Sequence, residues 1–137
     1  MGRVEEVIVL DTHALIWWLA DSDRLSTRAR RLIHSETRQG PALVSTISLW
    51  EITTLCRRGR LELTIGANAW IDAARQLPEV RFEAVDAEIA QLAGGFSDAL
   101  HGDPADRIIL ATAMARDARL VTADARLAEQ RLVETVW

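Results

Sequence analysis

The sequence predicts an α/β fold in which helices cover both faces of a parallel sheet. Short apolar runs alternate with longer amphipathic segments along the 137 residues, an alternation typical of parallel strands joined by helical crossovers. Two of these runs, at residues 7–10 and 119–123, are followed by an aspartate, as expected for buried strands whose carboxyl ends carry polar groups. With 49% hydrophobic residues, a chain of this length suits one well-buried domain, which we expect to span residues 1–137.

The first half of the chain is predicted to alternate from strand to helix twice. We expect strands at residues 7–11 and 42–45, and helices at residues 14–20, 27–35, 48–58 and 67–77. Ser48 is expected to cap the third helix and Gly59 to stop it. The fourth helix is expected to start at Gly66 and to close before Pro78.

The second half is predicted to supply three further strands and two helices. We expect strands at residues 80–85, around Val121 and at residues 132–137, giving a sheet of four to five strands. Asp86 is positioned to cap a helix that the Gly94-Gly95 pair ends. The next helix, at residues 105–117, follows Pro104, which is tolerated in a first turn because its missing N–H is no loss there.

The composition excludes several classes of function. All 16 basic residues are arginine, which argues against a Schiff-base or P-loop enzyme and against receiver domains and haloacid-dehalogenase-type phosphatases, which need a lysine. The single cysteine, Cys56, excludes a thiolate metal cluster, and the three histidines show no close metal-ligand spacing. No secretory signal or membrane span is apparent. We therefore expect a cytoplasmic protein.

Four carboxylates are the strongest functional signal. Asp11 and Asp124 follow strands, Glu51 lies near the start of a helix, and Asp106 opens another helix with Asp103 three residues before it. Acids gathered at one edge of a sheet repel one another and need a cation. Carboxylates are ligands suited to Mg2+ or Mn2+, and such ions support phosphodiester hydrolysis. Hydroxyls that can orient a carboxylate or a bound water lie beside the acids in sequence, at Thr12, Ser48 and Thr122.

Each acid also has a structural interpretation. Asp11 and Asp103 can cap the helices that follow them. Ser48 and Glu51 fit a capping box, with Ser48 at the N-cap. Asp124 can close a turn. Any one of these roles is ordinary, whereas all of them at one edge of a sheet are less so.

Four segments together resemble the PIN-domain family and, within it, the VapC-type toxins of bacterial toxin-antitoxin pairs. They are LDTHALIW at residues 10–17, VSTISLWEI at residues 44–52, HGDPADRIILATA at residues 101–113 and LVTAD at residues 120–124. The resemblance spans nearly the whole chain and departs from the usual motif at Ala105, where a bulky apolar or aromatic residue is more common.

The resemblance implies a three-layer α/β/α sandwich with Mg2+- or Mn2+-dependent endoribonuclease activity. It implies that Asp11, Glu51, Asp106 and Asp124 are the catalytic quartet that holds metal, that Asp103 is an additional acid, and that Thr122 is the hydroxyl two residues before the last acid. It also implies a VapB-type antitoxin and a homodimer. Exposed candidates for these contacts are Trp17, Trp18, Trp50 and Trp70. The alternative is a PIN-like module that binds RNA or protein without hydrolysis.

Overall fold

Strands and helices alternate through most of the chain in the computed structural model, which describes residues 6–100 and 102–137. The elements in this part of the chain are β1 (Ile8–Leu10), α1 (Thr12–Leu19), α2 (Thr27–Thr37), β2 (Ala42–Ser45), α3 (Ile47–Arg57), α4 (Ala67–Arg75), β3 (Val80–Glu83), α5 (Ala87–Gly94), α6 (Pro104–Ala115), β4 (Arg119–Val121), α7 (Ala125–Glu129) and β5 (Thr135–Val136). His101, which belongs to the third motif of the sequence, lies outside the described residues.

The strands form one parallel sheet in the order β3-β2-β1-β4-β5. The register places Leu10 beside Val44 on one side and beside Val121 on the other. From β1 the chain moves outward through β2 to β3, then returns to the other side of β1 for β4 and β5. The strand order therefore reverses between β1 and β4, and in open α/β sheets ligands bind outside the carboxyl ends of strands at such a reversal.

Alternate residues of the central strand face two apolar layers. Ile8 and Leu10 belong to a buried cluster shared with α1, α2, α3 and α4. Val9, between them, belongs to a second cluster that contains residues of α6 and α7, and α5 packs on α6. Side chains of a strand alternate between its faces. The three buried residues of β1 therefore pack against helices on both sides of the sheet. This confirms the predicted three-layer α/β/α sandwich.

Capping contacts confirm two predicted helix starts, and a glycine confirms one predicted helix end. The Asp86 carboxylate accepts a hydrogen bond from the Ile89 N–H at 2.9 Å, and the Asp103 carboxylate accepts one from the Ala105 N–H at 2.9 Å. Gly59 follows α3 with a φ of +70°, a left-handed conformation that glycine adopts without steric cost. These local signals fix where α5, α6 and α3 begin or end.

The prediction that Ser48 caps α3 is wrong. The helix begins at Ile47 after Thr46, which makes no side-chain cap hydrogen bond, so Ser48 already lies inside the first turn. Its hydroxyl is fully buried and contacts the Thr12 hydroxyl at 2.8 Å. The polar group is used for a contact between two helices, and the proposed capping box with Glu51 does not form.

The other differences concern the lengths of two strands and one additional helix. The predicted strands at residues 80–85 and 132–137 are shorter, and the helix α7, which the sequence interpretation did not include, follows Asp124 directly. Among the described residues, no helix is long and apolar enough to cross a membrane.

Candidate active site

Five carboxylates line one cavity of about 390 Å3 at the carboxyl edge of the sheet. They are the predicted quartet and the additional acid, Asp11, Glu51, Asp103, Asp106 and Asp124. Thr12, His13, Trp17 and Arg126 also contribute to the wall. Residues separated by more than 100 positions in sequence are thus brought together by the sheet and the helices that start at its edge.

The fold explains how the acids converge. Asp11 follows β1, and its N–H donates to the Val121 carbonyl of β4 at 3.1 Å, so the ends of the two central strands are joined at the cavity. Asp106 lies in the first turn of α6, immediately above the same edge. A helix N-terminus favours negative charge because the first N–H groups and the helix dipole point at it. The fold therefore tolerates several acids at this edge.

Two of the predicted hydroxyls hold Glu51. The Thr12 hydroxyl donates to Glu51 Oε1 at 2.5 Å, and the Ser48 hydroxyl lies 2.8 Å from the same Thr12 oxygen. Thr12 and Ser48 are both buried. A buried chain of hydroxyls leaves few rotamers open to the carboxylate, so α1 and α3 together fix the position of Glu51.

The third predicted hydroxyl, Thr122, joins the two acids that follow strands. Its side chain hydrogen bonds to Asp11 and lowers the pKa of that acid, and its oxygen accepts a hydrogen bond from the Asp124 N–H at 3.0 Å. Thr122 is buried. It therefore positions Asp11 and the start of the Asp124 turn relative to each other.

The cavity raises the pKa of two acids. Burial raises the pKa of Asp11, and the nearby Asp106 adds to the rise, against hydrogen bonds from Thr122 and the Ala14 N–H. Burial raises the pKa of Glu51 from 4.5 to about 7, with Asp106, Asp103 and Asp11 adding to the rise. Both shifts mean that this site disfavours further negative charge.

Three of the acids also cap helices, as the structural interpretation of the sequence predicted for two of them. Asp11 accepts from the Ala14 N–H at 2.8 Å, Asp103 caps α6, and Asp124 caps α7 through the Arg126 N–H at 2.9 Å. Within residues 6–100 and 102–137, no three His, Cys, Asp or Glu side chains are arranged as a ready-made metal site. The capping contacts orient the carboxylates toward their own helices.

Arg126 is the cavity residue that sequence reasoning missed. Its guanidinium contacts both oxygens of the Asp124 carboxylate, Nε to Oδ1 and Nη2 to Oδ2, each at 3.2 Å. The available signal was its spacing, two positions after an acid in the last motif. His13 also lines the cavity, exposed and with its ring centroid 5.4 Å from that of Trp17.

The donor set fits a hard divalent cation. The wall offers carboxylate and hydroxyl oxygens, which Mg2+ and Mn2+ prefer, and neighbouring acids add to the burial that raises the pKa values of Asp11 and Glu51. Of the expected exposed tryptophans, Trp50 is 60% exposed, whereas Trp17, Trp18 and Trp70 are partly buried against the first apolar cluster.

Comparison with known proteins places this chain in a family. The PIN domain family matches residues 8–131. The chain is 36% identical over 133 residues to ribonuclease VapC22 of Mycobacterium tuberculosis, which covers 95% of this chain and 98% of that protein. The fold superimposes with a TM-score of 0.69 on a chain of VapBC2 from Rickettsia felis bound to a promoter DNA fragment, at 13% identity over 95% of this chain and 97% of that chain. It superimposes with a TM-score of 0.68 on a chain of FitAcB from Neisseria gonorrhoeae, at 20% identity over 96% and 97% of the two chains.

The matched segment contains the sheet from β1 to β4 and all five acids of the cavity. The chain belongs to the PIN-domain family.

Proposed function

We propose that this protein is a Mg2+- or Mn2+-dependent endoribonuclease and the toxin of a VapBC-type toxin-antitoxin pair. The observation that carries the proposal is the convergence of five acids in one cavity at the strand-order reversal of a PIN fold. PIN-domain nucleases are metal-dependent in general, and the choice of Mg2+ or Mn2+ rests on the oxygen-rich wall. The relative that shares 36% of its residues is named a ribonuclease.

In this mechanism Asp11, Glu51, Asp106 and Asp124 would hold the ion. A bound divalent cation supplies a more acidic water and neutralises the negative charge that develops on a phosphodiester. Thr12 and Ser48 orient Glu51, and Thr122 orients Asp11. Because these hydroxyls are buried, Glu51 and Asp11 are positioned before substrate arrives, which lowers the cost of reaching a productive geometry.

The proposal includes the partners and the setting of the reaction. The substrate is RNA, the inhibitor is a VapB-type antitoxin, the assembly is a homodimer, and the location is the cytoplasm. Residues 1–137 act as one PIN-like domain. Support for the antitoxin comes from the cavity itself. The guanidinium of Arg126 already contacts Asp124 there, so the cavity is suited to an arginine from a partner. The exposed Trp50 lies next to Glu51 in sequence and offers an aromatic contact.

A second function, binding of RNA or protein without hydrolysis, is favoured by one observation. No three acids of the described residues stand ready to ligate an ion. A binding module needs no such arrangement, whereas a nuclease must reorient at least one carboxylate when the ion enters. The two functions differ in whether RNA is cut.

Incubation of the antitoxin-free protein with total cellular RNA, in Mg2+, in Mn2+ and in EDTA, tests the proposal. We expect discrete cleavage that requires metal and falls more than about 100-fold in Asp11→Asn, because even groups outside the ligand set of a metal contribute roughly 10- to 100-fold. Asp72→Asn makes the same chemical change at an exposed position of α4 and is the matched control. Retention of full activity in Asp11→Asn would overturn the metal-ligand assignment. Intact RNA with a folded protein that takes up Mn2+ would favour the binding module.

A further inference from the structure

Arg126 forms a two-point ion pair with an acid of the proposed metal site. Its Nε and Nη2 atoms contact the two oxygens of Asp124 at 3.2 Å, and its backbone N–H donates to Oδ1 at 2.9 Å. The guanidinium side chain is 62% exposed and the Asp124 side chain is 22% exposed. Asp106 and Asp103 also attract this cation electrostatically. Arg126 is therefore a counter-ion that the fold itself supplies to an acid-rich cavity.

This contact competes with a metal ion for the same atoms. A carboxylate whose two oxygens face a guanidinium offers a metal ion fewer open lone pairs and less uncompensated negative charge. An ion pair this exposed is weak, because water screens the attraction and the arginine loses side-chain freedom in making it. The pair is therefore strong enough to hold Asp124 in the metal-free protein and weak enough to be exchanged.

The backbone of Arg126 limits how far its guanidinium can move once it leaves Asp124. The Arg126 N–H stays on Asp124 as part of the α7 cap, so the side chain remains attached beside the cavity after its guanidinium leaves the carboxylate. A guanidinium carries a rigid fork of donors that matches the oxygens of a phosphate group as well as those of a carboxylate. Because Arg126 lines the same cavity as the acids, an RNA phosphate held there would be within its reach.

We propose that Arg126 is an exchangeable counter-ion, which holds Asp124 before the metal binds and transfers to a phosphate group of the RNA afterwards. The second half of this inference rests on the proposed ribonuclease function, whereas the first half concerns only metal and Asp124. The alternative is a structural role, in which the guanidinium only reinforces the cap of α7. A structural role predicts no change in the affinity for metal.

Direct Mn2+ titration of the RNA-free protein tests the first half. We expect Arg126→Gln to bind Mn2+ roughly two- to fivefold more tightly than the wild type, the effect that an exposed ion pair produces. Arg126→Lys keeps the charge but not the two-point contact, and we expect an intermediate affinity. Arg38→Gln, which removes an equal charge at the exposed C-cap of α2, is the control. Unchanged or weaker Mn2+ binding in Arg126→Gln, or equal tightening in Arg38→Gln, would overturn the inference.

Steady-state cleavage of a defined RNA at several salt concentrations tests the second half. We expect Arg126→Gln to raise KM while kcat stays nearly constant, because a phosphate contact made before and during the reaction contributes uniform binding. The slope of log affinity against log salt should decrease by roughly 0.7, the effect of one phosphate contact on a single strand. An unchanged KM and slope would refute the transfer to RNA. If wild-type protein binds Mn2+ yet cuts no RNA, the proposed function fails together with the transfer, and the Mn2+ affinities still decide the first half.

Discussion

Glu51 and Glu83 are two glutamates in the same α/β sandwich whose pKa values shift in opposite directions. Burial raises the pKa of Glu51 to about 7, and three other acids reinforce the shift. Burial also opposes ionisation of Glu83, but hydrogen bonds from Arg81 and Arg116 outweigh it and lower the pKa of that acid. The arginine atoms lie 2.7 Å and 3.2 Å from the two Glu83 carboxylate oxygens.

The difference shows how to distinguish a structural acid from a functional one in this fold. At the end of β3 the protein supplies two cations for one carboxylate. At the cavity Arg126 contacts Asp124, whereas burial and neighbouring acids oppose the ionisation of Glu51. Groups whose ionisation is opposed by burial and by like charges are candidates for function, because the fold pays a cost there that packing alone does not require. Under the proposed function, metal binding would remove this cost.

The largest difference between Glu51 and Glu83 is expected when each is replaced by glutamine. We expect Glu51→Gln to lower RNA cleavage by about 100-fold or more while the metal-free protein keeps or gains stability, because the change removes a ligand charge and a repulsion together. Glu83→Gln is expected to leave cleavage unchanged and to lower the free energy of unfolding by about 1 to 2 kcal/mol through the loss of charge-assisted hydrogen bonds. Cleavage assays and urea unfolding of both variants measure this.

The opposite pattern would contradict the assignment of roles. A Glu51→Gln protein that cuts RNA at the wild-type rate, or a Glu83→Gln protein that is inactive although folded, would show that the pKa shifts do not separate function from structure here.

Sequence reasoning was most successful where the deciding interactions are local. The strand at Ala42–Ser45 was predicted with its observed bounds, since a short apolar run between turn signals leaves few alternatives. The caps of α5 and α6 depend on an aspartate and an N–H two or three residues later. Acids that follow apolar runs predicted a common sheet edge for the carboxylates, and the resemblance to the PIN family added their roles, whereas the order of the strands was not predicted.

The failures concern contacts between distant residues. Ser48 has the sequence pattern of a cap, but its partner is Thr12, 36 positions away. Arg116 contacts Glu83 across 33 positions, and no periodicity identifies that pair. Arg126 was missed for another reason, since an arginine two residues after an acid is common on any surface and acquires meaning only once the cavity is seen.

A smaller difference between Glu51 and Glu83 is expected in how each makes stability depend on pH. Because the pKa of Glu51 is about 7 in the folded protein and 4.5 in the unfolded chain, folding takes up protons between these values. The metal-free protein should therefore lose stability as pH rises from 4.5 to about 7 and level off above. Asp11, whose pKa is also raised, acts in the same direction. Glu83, whose pKa is lowered, stabilises above its unfolded pKa and loses this contribution as pH falls.

Thermal unfolding in EDTA across this pH range, with and without the Glu51→Gln change, measures the effect. We expect the variant to flatten the decline, and we expect saturating Mn2+ to raise the melting temperature of the wild type because only the folded protein binds it at the cavity. A decline of the same steepness in Glu51→Gln would refute the role of this acid in the pH dependence.

The smallest expected effects separate the two possible roles of Asp103. Its Oδ1 atom accepts from the Ala105 N–H at 2.9 Å at the start of α6, and asparagine caps a helix about as well as aspartate does. Asp103→Asn should therefore keep wild-type stability and lose about tenfold of its cleavage, the lower end of the range for groups that act outside a ligand set. Asp103→Ala should cost about 1 kcal/mol of stability in addition. Asp86→Ala, at the equivalent cap of α5, should show a similar loss of stability without a loss of cleavage. If Asp103→Asn is as inactive as Asp11→Asn while α6 remains intact, Asp103 holds the metal as well as the helix, and the cap then also positions a ligand.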